Sequence, residues 1–362
     1  MLYWLLVPLQ QTISLFNVFR YITVRTALAG VTALVLSFLC GPWLIRFLRR
    51  HQIGQEIRSD GPQSHLAKKG TPSMGGVLIL ICTIVPTLVW GNLNNMYVWV
   101  ASGSMVLFGL IGFWDDLLKV RRKKSQGLTV RQKIVLQLAL AIGIGLVFVL
   151  LGHAEKFSLH LTFPFLKQWI PYLGWFYLPW IVFILMGSSN GVNLADGLDG
   201  LAIGLTMISA SALTALTYIV GHARWSQYLD IAWVPQAAEL TVFTGALTGA
   251  CLGFLWYNCH PAQVFMGDVG ALSLGGTLAV IALLIKQEFL LFTVAGVFIL
   301  EAASVLLQVS YFKMTGGKRI FKMAPLHHHF ELSGWPEERV VIRFWILGII
   351  FALFSLATLK LR

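Results

Sequence analysis

The sequence predicts an all-α polytopic membrane protein of about ten transmembrane helices. Three observations carry that expectation. Of 362 residues, 57% are hydrophobic and only 12% charged, with a mean hydropathy of +0.75, a balance that no soluble domain of this size sustains. The apolar runs are continuous over about 20 residues, the length a helix needs to cross a bilayer, and do not alternate as β-barrel strands do. Lysines and arginines collect in short loops between those runs, on alternate sides.

Taken in order, the runs place spans at 22–45, 74–91, 97–114, 133–152, 173–190, 200–220, 238–256, 269–286, 289–312 and 341–360. There is no internal repeat and no low-complexity linker, so residues 1–362 are expected to form one integral domain. The loop after span 1 carries Arg46, Arg49, Arg50, Arg58, Lys68 and Lys69. The loop after span 3 carries Lys119, Arg121, Arg122, Lys123, Lys124, Arg131 and Lys133, and that after span 9 Lys313, Lys318, Arg319, Lys322 and Arg339. The loops after spans 2, 4, 6 and 8 hold only Lys156, Lys167, Arg224 and Lys286. Odd-numbered loops are therefore expected in the cytoplasm and both termini in the periplasm.

The net charge of +12 is accounted for by these loops and by anionic lipid headgroups, without nucleic acid. Cys40, Cys82, Cys251 and Cys259 show no metal-ligand spacing and read as free thiols. Met1 to Leu9 is apolar but has neither a basic leader region nor a small-residue cleavage site, so it is not expected to be a cleaved signal.

The acid-rich and histidine-rich loops fall on the same predicted side. Asp115 and Asp116 follow span 3, Asn193, Asp196 and Asp199 follow span 5, Asn258, His260 and Asp268 follow span 7, and His327, His328 and His329 follow span 9. Adjacent carboxylates repel and raise one another's proton affinity, and each would cost roughly 2.5–3.5 kcal/mol at a helix centre. Asp115 and Asp116 are thus expected at the water interface, holding a cation or moving a proton. The plainer alternative is a pair of solvated charges matched by Lys119 and the arginines. Asp196 and Asp199 are three apart and share a face if helical. Helix capping explains one of them; both, with Asn193 and the glycines around them, point to substrate binding.

In the loop from Asn258 to Asp268, Phe265 beside Gly267 and Asp268 suits a ring face offered to a flat base. Asp268 suits an oxygen ligand for Mg²⁺, which in phosphate chemistry is held by one or two carboxylates. A helix cap is the alternative. His327, His328 and His329 are consecutive and lack the His-Glu-x-x-His pattern, which disfavours zinc and favours contacts to phosphate or sugar. Lys68 and Ser73 precede a glycine-rich helix start, a plausible anion site without P-loop spacing. Glu301 lies inside span 9, where an ionisable group is a functional candidate, a local partner or the mark of a helix break.

Asp115-Asp116-x-x-Lys119, Asn193-x-x-Asp196-Gly-x-Asp199-Gly, the Asn258/Phe265/Gly267-Asp268 loop and Ala324-Pro-Leu-His-His-His-Phe-Glu331 occur in this order. The chain thereby resembles the phospho-N-acetylmuramoyl-pentapeptide transferase branch of the polyprenyl-phosphate N-acetylhexosamine-1-phosphate transferases, over essentially its whole length. The resemblance implies transfer from UDP-N-acetylmuramoyl-pentapeptide to undecaprenyl phosphate at the cytoplasmic face of the bacterial inner membrane, giving lipid I and UMP. It implies Mg²⁺, with Asp268 as ligand, Asp115 as the base toward the lipid phosphate and Asp116 beside it near the metal. It further implies nucleotide contacts from Asn193, Asp196, Asn258 and Phe265, with Lys68 and Ser73 as further uridine contacts, a homodimer and a bent ninth span. Lys119 and the histidines would meet the anionic substrates, and Asp199 joins the substrate-binding set.

Three rivals have distinct signatures. A transporter would place ionisable groups near the midplane of broken helices, whereas here Glu301 alone does so. An intramembrane metalloprotease lacks its motif. A GlcNAc-1-phosphate transferase would not be expected to carry the stretch from Ala324 to Glu331.

Overall fold

The computed structural model describes residues 2–11, 14–51, 68, 70–122, 127–154, 156–164, 166 and 168–360. Arg58, Lys69, Lys123, Lys124 and Lys167 of the charge pattern lie outside them. Ten helices organise the chain: α1 (Ile22–Arg50), α2 (Gly76–Trp90), α3 (Met96–Arg122), α4 (Val130–His153), α5 (Tyr177–Ala195), α6 (Leu201–Gly221), α7 (Ala237–Asn258), α8 (Gly267–Leu284), α9 (Gly296–Met314) and α10 (Glu337–Thr358). No extended strand forms among the described residues; an antiparallel bridge joins His160 and Tyr172. Among them nine helices are long and apolar enough to cross a membrane, α2 being shorter. Its 15 residues rise about 22 Å at 1.5 Å each.

Several bounds differ from the expected spans by a few residues, and two of the differences have a physical reason that matters here. Helix α3 runs on to Arg122, so Asp115 and Asp116 sit within its final turns and not on the loop beyond it. Hydropathy marks where apolar residues stop, and a helix continues past that point into water at little cost. The ninth span is two helices, Glu288–Val294 and α9, interrupted at Ala295. Both pieces are apolar, so periodicity carries no sign of the break. Gly296 there lets the Phe351 ring of α10 approach: a Cβ at Gly296 would lie 2.8 Å from it.

Helix α8 is the core element. Its apolar window is 94% buried, packed among α3, α5, α2 and α6, as befits a helix that is hydrophobic all round. Lipid does not drive helices together as water does, so close backbone approach through small residues supplies much of the packing. Gly112 of α3 meets the first turn of α8 at Asp268 and Val269, Gly76 of α2 meets Gly270, and Gly275 meets Ser188 and Ser189 of α5. Gly30 of α1 packs likewise on Gly245 and Gly249 of α7.

Two buried ion pairs lie apart from the acidic motifs. Arg25, 2% exposed, makes a two-pronged pair with Glu239 at 2.7 and 2.5 Å, joining α1 to α7. Lys286 donates to Tyr177 at 2.6 Å and to Glu288 at 3.0 Å, and Tyr177 also donates to Glu288. Burial pushes the Lys286 ammonium down from its usual range, and Glu288 opposes that. Breaking one partner of such a pair costs about 3–5 kcal/mol, so these pairs pin the helix ends opposite the site.

Candidate active site

Helices α3 and α8 bring three carboxylates together. Gly112 and Gly267 make this possible. Gly112 admits the α8 backbone, and Gly267 adopts φ +70 where a Cβ would sit 2.5 Å from Asp116 Oδ2 and 3.0 Å from Ser73 Oγ. Asp116 Oδ2 accepts from the Val269 N–H at 3.2 Å, so it satisfies a free donor at the positive end of α8. Asp115 Oδ1 accepts from the Leu128 N–H at 2.6 Å. One oxygen each from Asp115, Asp116 and Asp268 lies within 4.8 Å of the others.

Two ammonium groups face this cluster. Lys119 Nζ lies 2.8 Å from Asp115 Oδ2, 3.1 Å from Asp116 Oδ1 and 2.7 Å from Asp268 Oδ2. Lys133 Nζ lies 2.9 Å from Asp268 Oδ2 and 3.9 Å from Asp115 Oδ2. In the amide orientation that its neighbours require, Asn193 donates to Asp268 Oδ1 at 3.1 Å and accepts from Lys133 at 2.9 Å. Fully ionised, the three aspartates would carry −3 against +2 from the lysines. A hard divalent cation suits this all-oxygen, anionic donor set, so these residues could hold a metal ion.

A second group of residues lies on the loop from Asp196 to Gly200. Burial first, then the anions of Asp268, Asp116 and Asp199, push the Asp196 carboxyl up to about 8. Asp199 Oδ1 accepts from Lys68 at 2.8 Å and its Oδ2 from the Ala262 N–H at 3.0 Å. Glu337 and His260 complete this group; Asp199, His260 and Glu337 also have metal-ligand spacing, but the Lys68 ammonium already sits against both carboxylates. Asn258 is buried and ties two loops, accepting from the Gly200 N–H at 3.1 Å and donating to the Val264 carbonyl at 2.9 Å. Phe265 is half-buried; its N–H donates to the Pro72 carbonyl at 2.8 Å and its carbonyl accepts from Gly75 at 2.9 Å. Those bonds bring Ser73 beside the first turn of α8.

The three histidines diverge on a short helix, Leu326–Glu331. His327 is fully buried, its Nδ1 3.2 Å from Glu301 Oε2, and its ring packs on Gly197. His328 Nδ1 lies 2.8 Å from Glu331. His329 accepts from the Lys322 N–H at 3.1 Å. Glu301 thus faces His327 from another helix and does not line a break, since the break lies at Ala295.

The structure therefore joins Asp115, Asp116, Lys119, Asn193 and Asp268 directly, with Ser73 alongside. It joins Lys68 to Asp199, sets Asp196 in electrostatic reach of both groups, and packs His327, from the helix Leu326–Glu331, against Gly197. Lys133 was legible only as a loop charge, and Glu337, ahead of the last expected span at 341–360, was not singled out at all. Neither carries a local motif that would single it out.

Comparison with known proteins places the chain in a family. Glycosyl transferase family 4 matches residues 98–286, and the phospho-N-acetylmuramoyl-pentapeptide-transferase signature 1 matches residues 68–80. The chain is 53% identical to the phospho-N-acetylmuramoyl-pentapeptide-transferase of Thermodesulfovibrio yellowstonii over 362 residues, covering all of both chains. It is 52% identical over 380 residues to that of Koribacter versatilis and 54% over 365 to that of Desulfatibacillum aliphaticivorans, again end to end. The chain belongs to the phospho-N-acetylmuramoyl-pentapeptide-transferase family.

Proposed function

We propose that the chain transfers phospho-N-acetylmuramoyl-pentapeptide from its UDP-activated form to undecaprenyl phosphate, giving lipid I and UMP. The observation that carries this reading is the cluster of Asp115, Asp116 and Asp268 with Lys119 and Lys133 at one end of a ten-helix membrane bundle. A membrane-embedded body suits a lipid acceptor, and a mixed cluster of carboxylates and ammonium groups suits a diphosphate donor. Phosphoryl transfer asks for positioning and charge neutralisation more than covalent catalysis.

The reaction is a direct displacement. An oxygen of the lipid phosphate attacks the phosphorus that bears the sugar, and the bond from that phosphorus to the bridging oxygen breaks. UMP leaves with the electron pair. Asp115 accepts the proton when the lipid phosphate arrives protonated. Asp268, with Asp115 and Asp116, would hold Mg²⁺, whose charge offsets that on the diphosphate. Lys119 and Lys133 serve the same end from the protein side. Phe265 offers a ring face to uracil, with Asn193, Asp196, Asp199, Asn258, Lys68 and Ser73 around the nucleotide. His328 and His329 are assigned to the sugar and diphosphate, and His327, fully buried, backs the loop at Gly197.

The reading places this end of the bundle in the cytoplasm, both termini in the periplasm, and the chain in the inner membrane as a homodimer. Residues 1–362 act as one domain. The deciding experiment incubates purified chain with radiolabelled UDP-N-acetylmuramoyl-pentapeptide, undecaprenyl phosphate and Mg²⁺ in detergent. Label entering the lipid phase with equimolar UMP supports the transferase. Equal turnover of UDP-GlcNAc would move the chain to the GlcNAc-1-phosphate branch.

A further inference from the structure

An acid in the first turn of a helix ordinarily serves that helix, through its free N–H groups or its dipole. Glu337, in the first turn of α10, is turned elsewhere. Its Oε1 accepts from Lys68 Nζ at 2.6 Å, across 269 positions of sequence, and from the Asp199 N–H at 2.8 Å. Its Oε2 lies 3.6 Å from His260 Nδ1, and its side chain is 10% exposed. With Asp199 it takes two donors of the Lys68 ammonium, which leaves a third for a ligand. One carboxylate thus links the segment before α2, the Asp196–Gly200 loop and the end of the bundle at α10.

We propose that Glu337 is a positioning residue of the nucleotide pocket, holding the Lys68 ammonium and the Asp199 backbone in place before the uridine nucleotide binds. The proposal rests on Lys68 as a nucleotide contact. Ordering a long lysine side chain in advance removes an entropic cost from binding. The sign of the effect separates positioning from bulk charge. Taking an anion away from a site for anionic nucleotide should tighten binding if Glu337 were only a nearby charge. Loss of a positioning residue should weaken it.

UMP is titrated into the full-length protein in detergent with Mg²⁺, for wild type, E337Q, K68M and the double variant. E337Q is expected to weaken UMP about tenfold, the loss of a charge-assisted hydrogen bond. It should raise KM for the UDP-linked substrate in parallel and lower kcat by no more than about twofold. K68M should weaken UMP comparably, and the double variant should be no worse than K68M. E337Q that binds UMP as tightly as wild type, or tighter, while K68M weakens it overturns the proposal, as do additive losses in the double variant. UMP affinity unchanged in K68M removes Lys68 from the pocket, and the role of Glu337 falls with it. E337D keeps the charge but shortens the reach, and should also weaken UMP. Normal UMP binding by E337D counts against positioning even if E337Q does not fold.

Discussion

Lys133 Nζ lies 2.9 Å from Asp268 Oδ2. The two residues come from different helices, α4 and α8, and meet at the point where α3 contributes Lys119 to the same oxygen. An ammonium held there, with Asn193 bridging it to Asp268, is preorganised for charge on a leaving phosphate. Lys133→Met should therefore lower kcat on the order of a hundredfold, the effect of removing one fixed donor from a transition-state site. UMP release under saturating substrate measures it. Turnover within a few-fold of wild type would return Lys133 to the status of a membrane-surface charge.

The two groups with metal-ligand spacing make opposite predictions. Asp268→Asn should abolish turnover at every Mg²⁺ concentration and remove Mn²⁺ binding as read by electron paramagnetic resonance. Asp199→Asn should leave Mn²⁺ binding intact, because the Lys68 ammonium already serves the carboxylates there. Mn²⁺ bound normally by Asp268→Asn would take that residue out of the metal site.

These contrasts mark how far the sequence could be read. Helix count and the identity of Asp115, Asp116, Asn193 and Asp268 were legible because hydropathy and motif spacing are local properties. That they converge was legible only from their falling on one predicted side. Lys133 and Glu337 were not legible in the same way, since a lysine in a basic loop and a glutamate in the loop just ahead of an expected span each have an ordinary local explanation. Their partners stand 135 and 138 positions away, and only packing around α8 and α10 brings them together. The break at Ala295 was hidden from periodicity because a contact with Phe351, not a polar residue, goes with it.

Asp196 supplies a prediction in pH. Its carboxyl is pushed from 3.8 up to about 8 by burial and by the anions of Asp268, Asp116 and Asp199. The folded chain therefore holds that proton more tightly than the unfolded chain. Below about pH 4 both states are protonated and the residue is neutral in effect. As pH rises from about 4 to about 8 the unfolded chain ionises first, so stability falls across that window and levels off above it. Asp196→Asn removes the ionisable group. Thermal unfolding in detergent with chelator should show the variant gaining on wild type as pH rises from 4 to 8. Parallel pH curves for the two proteins would contradict the assignment.

Gly112 offers the last test, because it separates the packing that builds the site from the residues within it. A Cβ there would fall on the Asp268 carbonyl and 2.5 Å from the Val269 nitrogen. Backbone cannot swing aside as a side chain can, so Gly112→Ala should push α3 from α8 and carry Asp115 and Asp116 away from Asp268. A misplacement of about 1 Å can cost on the order of a hundredfold in rate, and Mn²⁺ affinity should fall with it. Gly143 of α4 has no atom within 4 Å of its Cβ position, so Gly143→Ala should leave turnover intact and stabilise the helix by about 0.5–1 kcal/mol. Both variants keep every charged group. A Gly112→Ala protein with normal turnover would mean that the three carboxylates do not need the close approach of α3 and α8, and the site would have to be drawn differently.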